Sequence, residues 1–300
     1  MISIPVSKQR IIQMKYFELS VLIFIIALCS CNKKPINDFD RRVELEGEHN
    51  FRDLGVYQTS DNKAVKRGLL YRSGTLYKLT PEDLTQFEEL GIKTVVNFLT
   101  ESERENQGAD KLPQGVQSVF LPIEGLGSEV DDLIIARKTG NFSKIPTDFN
   151  YNIHKVLPET GKDSYAKLFD VLADEKNYPI VFHCSHGVHR TGTAAALVLN
   201  SLGVPWETIR EDYMLSNEYR LSESTRRVDQ LDAIAQDNTD VADKAMNRKN
   251  IEAFYLLQPE YIDGTRSHIL DKYGSFDSYL KSADVDQEQI EKISEILLEK

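Results

Sequence analysis

The sequence predicts an α/β protein: a central, largely parallel sheet flanked by helices, with extra helices toward the C-terminus. Three observations carry this. A capped amphipathic helix lies between two strand-like runs in residues 68–99. A further apolar run, Tyr178–Phe182, leads through a short polar loop into an alanine-rich helix. Residues 205–299 read as helices alone. Strand–helix–strand alternation of this kind builds parallel strand pairs with helical crossovers.

The elements follow in order. Gly68-Leu69-Leu70-Tyr71-Arg72 is a short strand pattern. Thr80-Pro81-Glu82-Asp83 is a helix start: Thr as N-cap, Pro in the first turn, acids near the positive end of the dipole. Leu84, Phe87 and Leu90 recur at helical spacing, and Gly91 closes the helix. Ile92–Leu99 is a buried strand. Residues 125–162 carry no clear periodicity beyond a helix near 128–138. Tyr165–Leu172 returns as a helix, Tyr178–Phe182 is a buried strand, and Thr191–Leu202 is a helix of good formers ended by Gly203. Beyond it, Trp206, Ile209, Tyr213 and Leu215 are core candidates.

The chain has 300 residues, 41% hydrophobic and 28% charged, with 16 Gly and 10 Pro. That mixture supports an ample core and excludes collagen-like, disordered and low-complexity readings. The 36 Lys and Arg against 47 Asp and Glu leave a formal net charge of −11. Broad nucleic-acid binding needs a basic face, so no nucleic acid is expected as a partner. No fixed-period repeat and no linker is visible after residue 44, so 44–300 reads as one domain.

The N-terminus reads as an address. Residues 1–18 are polar and carry Lys8, Arg10 and Lys15; Leu19–Leu28 is almost wholly apolar. This run is shorter than the roughly 20 residues of a spanning helix. A basic region before a short apolar one is a secretory signal. Leu28-Cys29-Ser30-Cys31 resembles a bacterial lipobox, in which Cys31 is lipidated and becomes the new N-terminus. The expectation is a lipoprotein signal peptide over 1–30, with Met14 as an alternative start, and a polar tether over 31–43. The protein is then exported and held at the periplasmic or outer-membrane face, with the membrane a partner through the lipid. An uncleaved anchor helix is the alternative. Of the three cysteines only Cys184 belongs to the body.

Cys184 lies in His183-Cys184-Ser185-His186-Gly187-Val188-His189-Arg190, between the strand ending at Phe182 and the helix starting near Thr191. A helix N-terminus offers unpaired N–H groups and a positive dipole end, which bind anions. A tight loop over it points further N–H groups inward, and Gly187 lets the backbone turn. Arg190 supplies a planar fork for two phosphate oxygens. A cysteine in that field is held as thiolate, a nucleophile toward phosphorus. Ser185, His186, Gly187, Val188, His189 and Arg190 form the phosphate cradle. Thr191 can hydrogen-bond the sulfur, and His183 can orient the loop from behind through backbone contacts. No metal or other cofactor is expected, because loop and Arg190 supply the positive field. An inert core cysteine, and a metal site on His183, Cys184, His186 and His189, are the competing readings.

The loop resembles that of the cysteine-dependent protein tyrosine phosphatases. The wider chain resembles their bacterial branch, which includes secreted, lipid-phosphate-active members. The matching stretches are Asn50–Gly55, Arg67–Gly68 with Tyr71–Gly74, Leu90–Val96, the loop, Asp212–Asn217 and Tyr273–Leu280. The resemblance implies a cysteine-phosphatase-like sheet and hydrolysis of a phosphomonoester through a phosphocysteine. It also makes Arg52, Asp53 and Arg72 candidate supporting residues. The expected partner is a phosphotyrosine protein or a small phosphomonoester. Inositol phosphates, phosphoinositides or polyphosphate ends are alternative substrates, and a phosphate-binding pseudophosphatase is the alternative class.

Two departures stand out. The family loop usually reads Gly-Lys-Asp-Arg, whereas here it is Gly187-Val188-His189-Arg190. The family's Asp-Leu-Arg strand motif reads Asn97-Phe98-Leu99. The usual acid is thus His189. Beside a phosphate dianion the charged form of a histidine is favoured, which would make His189 a catalytic acid. Asp131, Asp132, Asp148 and Asp163 are the alternatives. Asp212 and Asn217 are expected to cap or brace a helix. Residues 219–250 read as a solvated face or a lid.

Overall fold

The computed structural model describes residues 41–124 and 128–299, with residues 128–131 by backbone alone. The leader, Cys31 and most of the tether lie outside these residues.

Five strands form one sheet: β1 (Arg52–Asp53), β2 (Leu70–Ser73), β3 (Thr94–Asn97), β4 (Gln117–Phe120) and β5 (Ile180–His183). Their order is β1-β2-β5-β3-β4. Only the β1–β2 pair is antiparallel. β5 is therefore central, flanked by two parallel neighbours. Leu70, Val96, Ile180 and Phe182 enter the large core, while Tyr71, Val95 and Val181 enter a smaller one on the opposite face. Strand side chains alternate between faces, so a near-continuous apolar run is what a strand covered on both sides requires.

Twelve helices are described. α1 (Pro81–Glu89) starts with the expected cap: Thr80 and Asp83 form a capping box. Phe87 of α1 packs on Phe51 and Val95 in the smaller core. α2 (Glu101–Gln107) and β4 are absent from the sequence expectation. α2 has no buried residue and β4 is half-exposed, so neither shows apolar periodicity. α3 (Ser128–Thr139) is the helix expected near 128–138, whereas α4 (Phe149–Thr160) lies in the stretch that carries no clear periodicity. α5 (Lys162–Leu172) and α6 (His189–Ser201) match the expected positions with ends shifted by up to three residues.

The C-terminal part is helical throughout: α7 (Trp206–Tyr219), α8 (Leu221–Asp237), α9 (Lys244–Tyr255), α10 (Pro259–Tyr273), α11 (Phe276–Ser282) and α12 (Gln287–Leu297). α10 lies along α4, and Gly264 makes the approach possible. A Cβ there would collide with the Tyr151 carbonyl oxygen and sit 3.0 Å from the Lys155 nitrogen. Trp206, Ile209 and Tyr213 are buried, as expected, but Leu215 is only half-buried. α3, α8 and α9 share a third apolar cluster built on Phe142, Leu231, Ile251 and Phe254. Residues 219–250 are thus two amphipathic helices with a core of their own.

Candidate active site

β2, β3 and β5 end abreast, with Ser73 and Asn97 both paired to His183. Ligands of parallel sheets bind beyond the carboxyl edge, where neighbouring connections diverge. Cys184 is the first residue past that edge, and α6 begins five residues later. Its unpaired N–H groups face the same space.

The loop backbone is turned with its carbonyls outward. The Ser185 carbonyl accepts from Thr75 N at 3.3 Å. Asn50 Nδ2 donates to the carbonyls of His186 (3.0 Å) and Gly187 (3.2 Å). Arg72 Nη2 donates to the Gly187 carbonyl at 2.8 Å. With the carbonyls so held, the peptide N–H groups turn into the cradle. Gly187 is required twice over. Its φ is +66, and a Cβ would sit 2.5 Å from the Ser73 carbonyl oxygen.

A buried ion cluster supports this side. Arg52 and Arg72 both bind Asp212, Arg52 Nε at 2.9 Å and Arg72 through Nη1. Tyr57 donates to Asp212 at 3.0 Å, and Arg52 Nη2 donates to Ser216 Oγ at 3.1 Å. Burial disfavours the Asp212 carboxylate, but the two arginines hold its pKa well below the usual range. Arg72 is pushed down to about 10 by burial and by Arg52 beside it. Arg52 and Arg72 therefore stand under the loop rather than in its mouth. Asp53 does not reach the loop. It accepts from Gly55 N and Gly68 N and pins the turn after β1. Asn217 braces the α9–α10 connection through both backbone groups of Leu257.

Arg190 faces a carboxylate that the sequence reading missed. Its Nη1 and Nη2 meet Glu103 at 2.5 and 2.7 Å, and Nη1 also donates to the Phe98 carbonyl at 3.0 Å. The pair is partly open, with side chains 15% and 30% exposed. Glu103 also closes the α2 capping box with Thr100. That Thr-x-x-Glu spacing was the available signal.

Cys184 is 3% exposed and is the free cysteine of the described residues. Burial pushes its thiol up. Arg190, the Thr191 hydroxyl and backbone N–H, and the His186 N–H outweigh burial and leave it lowered. The Thr191 hydroxyl meets no acceptor at full hydrogen-bond geometry, yet lies close enough to the sulfur to favour the thiolate. His183 is held chiefly by Asp110, at 3.1 Å from Nε2, rather than by backbone contacts. The Cys184 carbonyl is 3.4 Å from Nδ1. Asn97 Nδ2 donates to the same Asp110 oxygen at 2.7 Å. The departure from Asp-Leu-Arg thus supplies a neutral partner for this carboxylate.

His189 stands at the first turn of α6, with Nε2 2.9 Å from Asn150 Oδ1. Burial, then Arg190, Arg137 and Arg220, push its pKa down to about 3. The chain's own groups therefore oppose the imidazolium, while a phosphate dianion acts in the opposite direction. His186 is lowered for the same reasons. Phe254 lies 6.4 Å from the His189 ring, with Arg137 5.3 Å above its face. The other acid candidates are elsewhere. Asp132 pairs with Lys144 at 3.0 Å. Asp148 and Asp163 are exposed at the N-terminal ends of α4 and α5. The Asp131 side chain and Cys31 lie outside the described residues. Among the described residues no group of three His, Cys, Asp or Glu side chains is placed to hold a metal ion.

The tyrosine phosphatase family model matches residues 43–299. The triple specificity protein phosphatase PtpB of Mycobacterium tuberculosis is 25% identical over 280 residues, spanning 85% of this chain and 98% of that one. A tyrosine-protein phosphatase of Nostoc commune is 25% identical over 240 residues, spanning 77% and 74%. Among solved structures, the core catalytic domain of the PP-IP phosphatase Siw14 from S. cerevisiae aligns with a TM-score of 0.32 and 15% identity. It covers 77% of this chain and 96% of that one.

Proposed function

The chain belongs to the tyrosine phosphatase family, and from that premise we propose that it hydrolyses phosphotyrosine through a phosphocysteine on Cys184. One observation carries the reading. Cys184 sits at the floor of a cradle made by outward-turned carbonyls, the α6 N-terminus and Arg190. Arg190 and the N–H groups of residues 185–190 hold the phosphate. The Cys184 thiolate attacks phosphorus, and the P–O bond to the phenol breaks. Proton transfer to the phenol oxygen by His189 supports its departure and is worth roughly 10²–10⁴-fold. His189 gains that proton where the phosphate dianion offsets Arg190. Water then attacks the phosphocysteine, returning thiolate and inorganic phosphate, with Thr191 favouring the leaving sulfur.

Two features favour a tyrosyl ester. The sulfur is almost fully buried, so a short seryl ester reaches it poorly. The half-buried His189 ring, backed by Phe254 at 6.4 Å, offers an aromatic surface beside the loop for a phenol ring. Val188, where the family carries a lysine, removes a cation that highly anionic inositol substrates would use. We propose further that Cys31 is lipidated and that the domain hangs outside the cytoplasm from a membrane. The support is the short apolar run before Leu28-Cys29-Ser30-Cys31.

The test is phosphate release by the full-length chain from a phosphotyrosine peptide and from a panel of inositol phosphates and phosphoinositides. Release from the peptide, lost in Cys184→Ser, is expected. Release from the inositol series alone would keep the mechanism and overturn the substrate. Binding of the peptide without release would make the protein a binder.

A further inference from the structure

The partner of His189 has a fixed polarity. Asn150 is 1% exposed, and its Nδ2 donates to the carbonyls of Ala253 (2.9 Å) and Phe254 (3.0 Å). Carbonyls only accept, so the carboxamide has one orientation. Its oxygen is the atom 2.9 Å from His189 Nε2. That oxygen also only accepts, so Nε2 must carry a hydrogen. The second ring nitrogen, Nδ1, meets no protein partner among the described residues and is not sealed from solvent. The ring is held by packing as well: His154 lies 5.4 Å and Phe254 6.4 Å from it, centroid to centroid.

We propose that Asn150 is a positioning residue for the phosphoryl-transfer step: it fixes His189 in the Nε2–H tautomer, so that Nδ1 alone takes up and releases the reacting proton. The inference rests on the reading of His189 as the acid and adds which nitrogen acts and what sets it. In the first step the Cys184 sulfur forms a bond to phosphorus and the P–O bond breaks. The phenolate oxygen takes the proton from Nδ1 of the imidazolium, leaving neutral His189 with hydrogen on Nε2. In the second step Nδ1 takes a proton from the attacking water as its oxygen bonds phosphorus and the P–S bond breaks. The thiolate, the imidazolium and monohydrogen phosphate are the products. Nε2 never exchanges, because Asn150 occupies it throughout.

The groups facing His189 make this dependence strict. Arg190 follows it in α6, Arg137 approaches from α3, and Arg220 from the α7–α8 junction. His154 of α4 and His186 of the loop lie beside it and stay neutral. α9 contributes uncharged Phe254 and the two carbonyls that hold Asn150. No carboxylate contacts the ring among the described residues, so the dianion of the bound substrate is the anion that loads Nδ1. A ring free to present Nε2 instead would still find the proton, but displaced by the width of the imidazole. Misplacement on the order of 1 Å costs about 10²-fold.

The experiment is a series of aryl phosphates with leaving groups from phenol-like to nitrophenol-like, assayed on the full-length chain. Good leaving groups need no acid, so loss of proton transfer steepens the dependence of kcat on leaving-group pKa. His189→Ala and Asn150→Ala are both expected to steepen it. Asn150→Ala should lose about 10²-fold on phenol-like substrates and little on nitrophenol-like ones. The double variant should be no slower than His189→Ala. An unchanged slope in His189→Ala would end the acid reading and this inference with it. A steeper slope in His189→Ala, but uniform slowing in Asn150→Ala, would make Asn150 merely structural and overturn the inference alone. If Asn150→Ala does not fold, nitrogen-15 spectra of His189 in the unaltered chain decide. Hydrogen on Nε2 supports the assignment, and hydrogen on Nδ1 of the neutral ring overturns it.

Discussion

Two arginine–carboxylate clusters flank the same loop and behave oppositely. Around Asp212, Arg52 and Arg72 are sealed, with side chains at most 1% exposed. Both oxygens of that carboxylate are engaged, and further arginine donors reach the Asn50 and Gly187 carbonyls, while Arg72 Nε is buried without a hydrogen-bond partner. Arg190 and Glu103 meet in an equally good fork but stand half-open at the mouth. The difference teaches what burial does to one chemistry. A sealed cluster cannot exchange partners, so it fixes backbone. An open fork can share its cation with an incoming anion, so it binds substrate.

The sealed cluster is the place to break the fold. Asp212→Ala leaves two buried guanidinium groups facing each other. Stripping one partner from a buried ion cluster costs about 3–5 kcal/mol, a large part of a typical domain's stability. The expected outcome is a large fall in the thermal midpoint, or no soluble protein. An unchanged midpoint would mean that Asp212 is not the anion holding these arginines.

The open fork is the place to break function and spare the fold. Glu103→Gln keeps the capping box, which accepts Gln as well as Glu at that position. Partly exposed pairs contribute on the order of 1 kcal/mol or less, so the thermal midpoint should move little. Arg190 loses its guide, and kcat/KM on a phosphotyrosine peptide should fall by about 10²-fold, as for other misplaced clamps. A fall in stability without a fall in kcat/KM would reverse the assignments of the two clusters.

The same contrast governs what could be read in the sequence. Cys184, Gly187 and Arg190 were legible because seven consecutive residues at a strand–helix turn build the cradle. Thr80 and Pro81 announced α1, and Val95 and Val96 announced β3, because caps and apolar runs are local. Glu103 lies 87 residues from Arg190, and Asp212 lies 160 from Arg52. Only the strand order brings them together. Asn150 sits in a stretch with no clear period, and its role depends on carbonyls that α9 supplies. The substitution at His189 and its neighbour Arg190 were visible, whereas Arg137 and Arg220, brought up from α3 and the α7–α8 junction, were not, so its low proton affinity could not be inferred.

The smallest effect separates open from sealed by titration. His154 and His189 both sit folded as neutral rings, His154 well below the usual range through burial and neighbouring cations, His189 at about 3. An unfolded histidine titrates near 6.5. Below that pH the unfolded chain binds protons that the folded chain refuses, so stability falls as pH drops from about 6.5 toward the folded values. Each ring contributes at most about 1.4 kcal/mol per pH unit in that window. The two should part company when inorganic phosphate is added. Phosphate in the cradle favours the charged form of His189 and relieves its share, while His154, hydrogen-bonded to Thr193 and Tyr213, is out of reach. Denaturant unfolding at pH 7.5 and 5.5, with and without phosphate, should show a loss that phosphate partly restores. Beyond its ordinary binding effect at pH 7.5, that restoration should shrink in His189→Gln, which can still donate to Asn150, leaving only the share of His186 in the same cradle. Equal restoration in the variant would place the phosphate-sensitive proton on another group and remove His189 from the open side of the comparison.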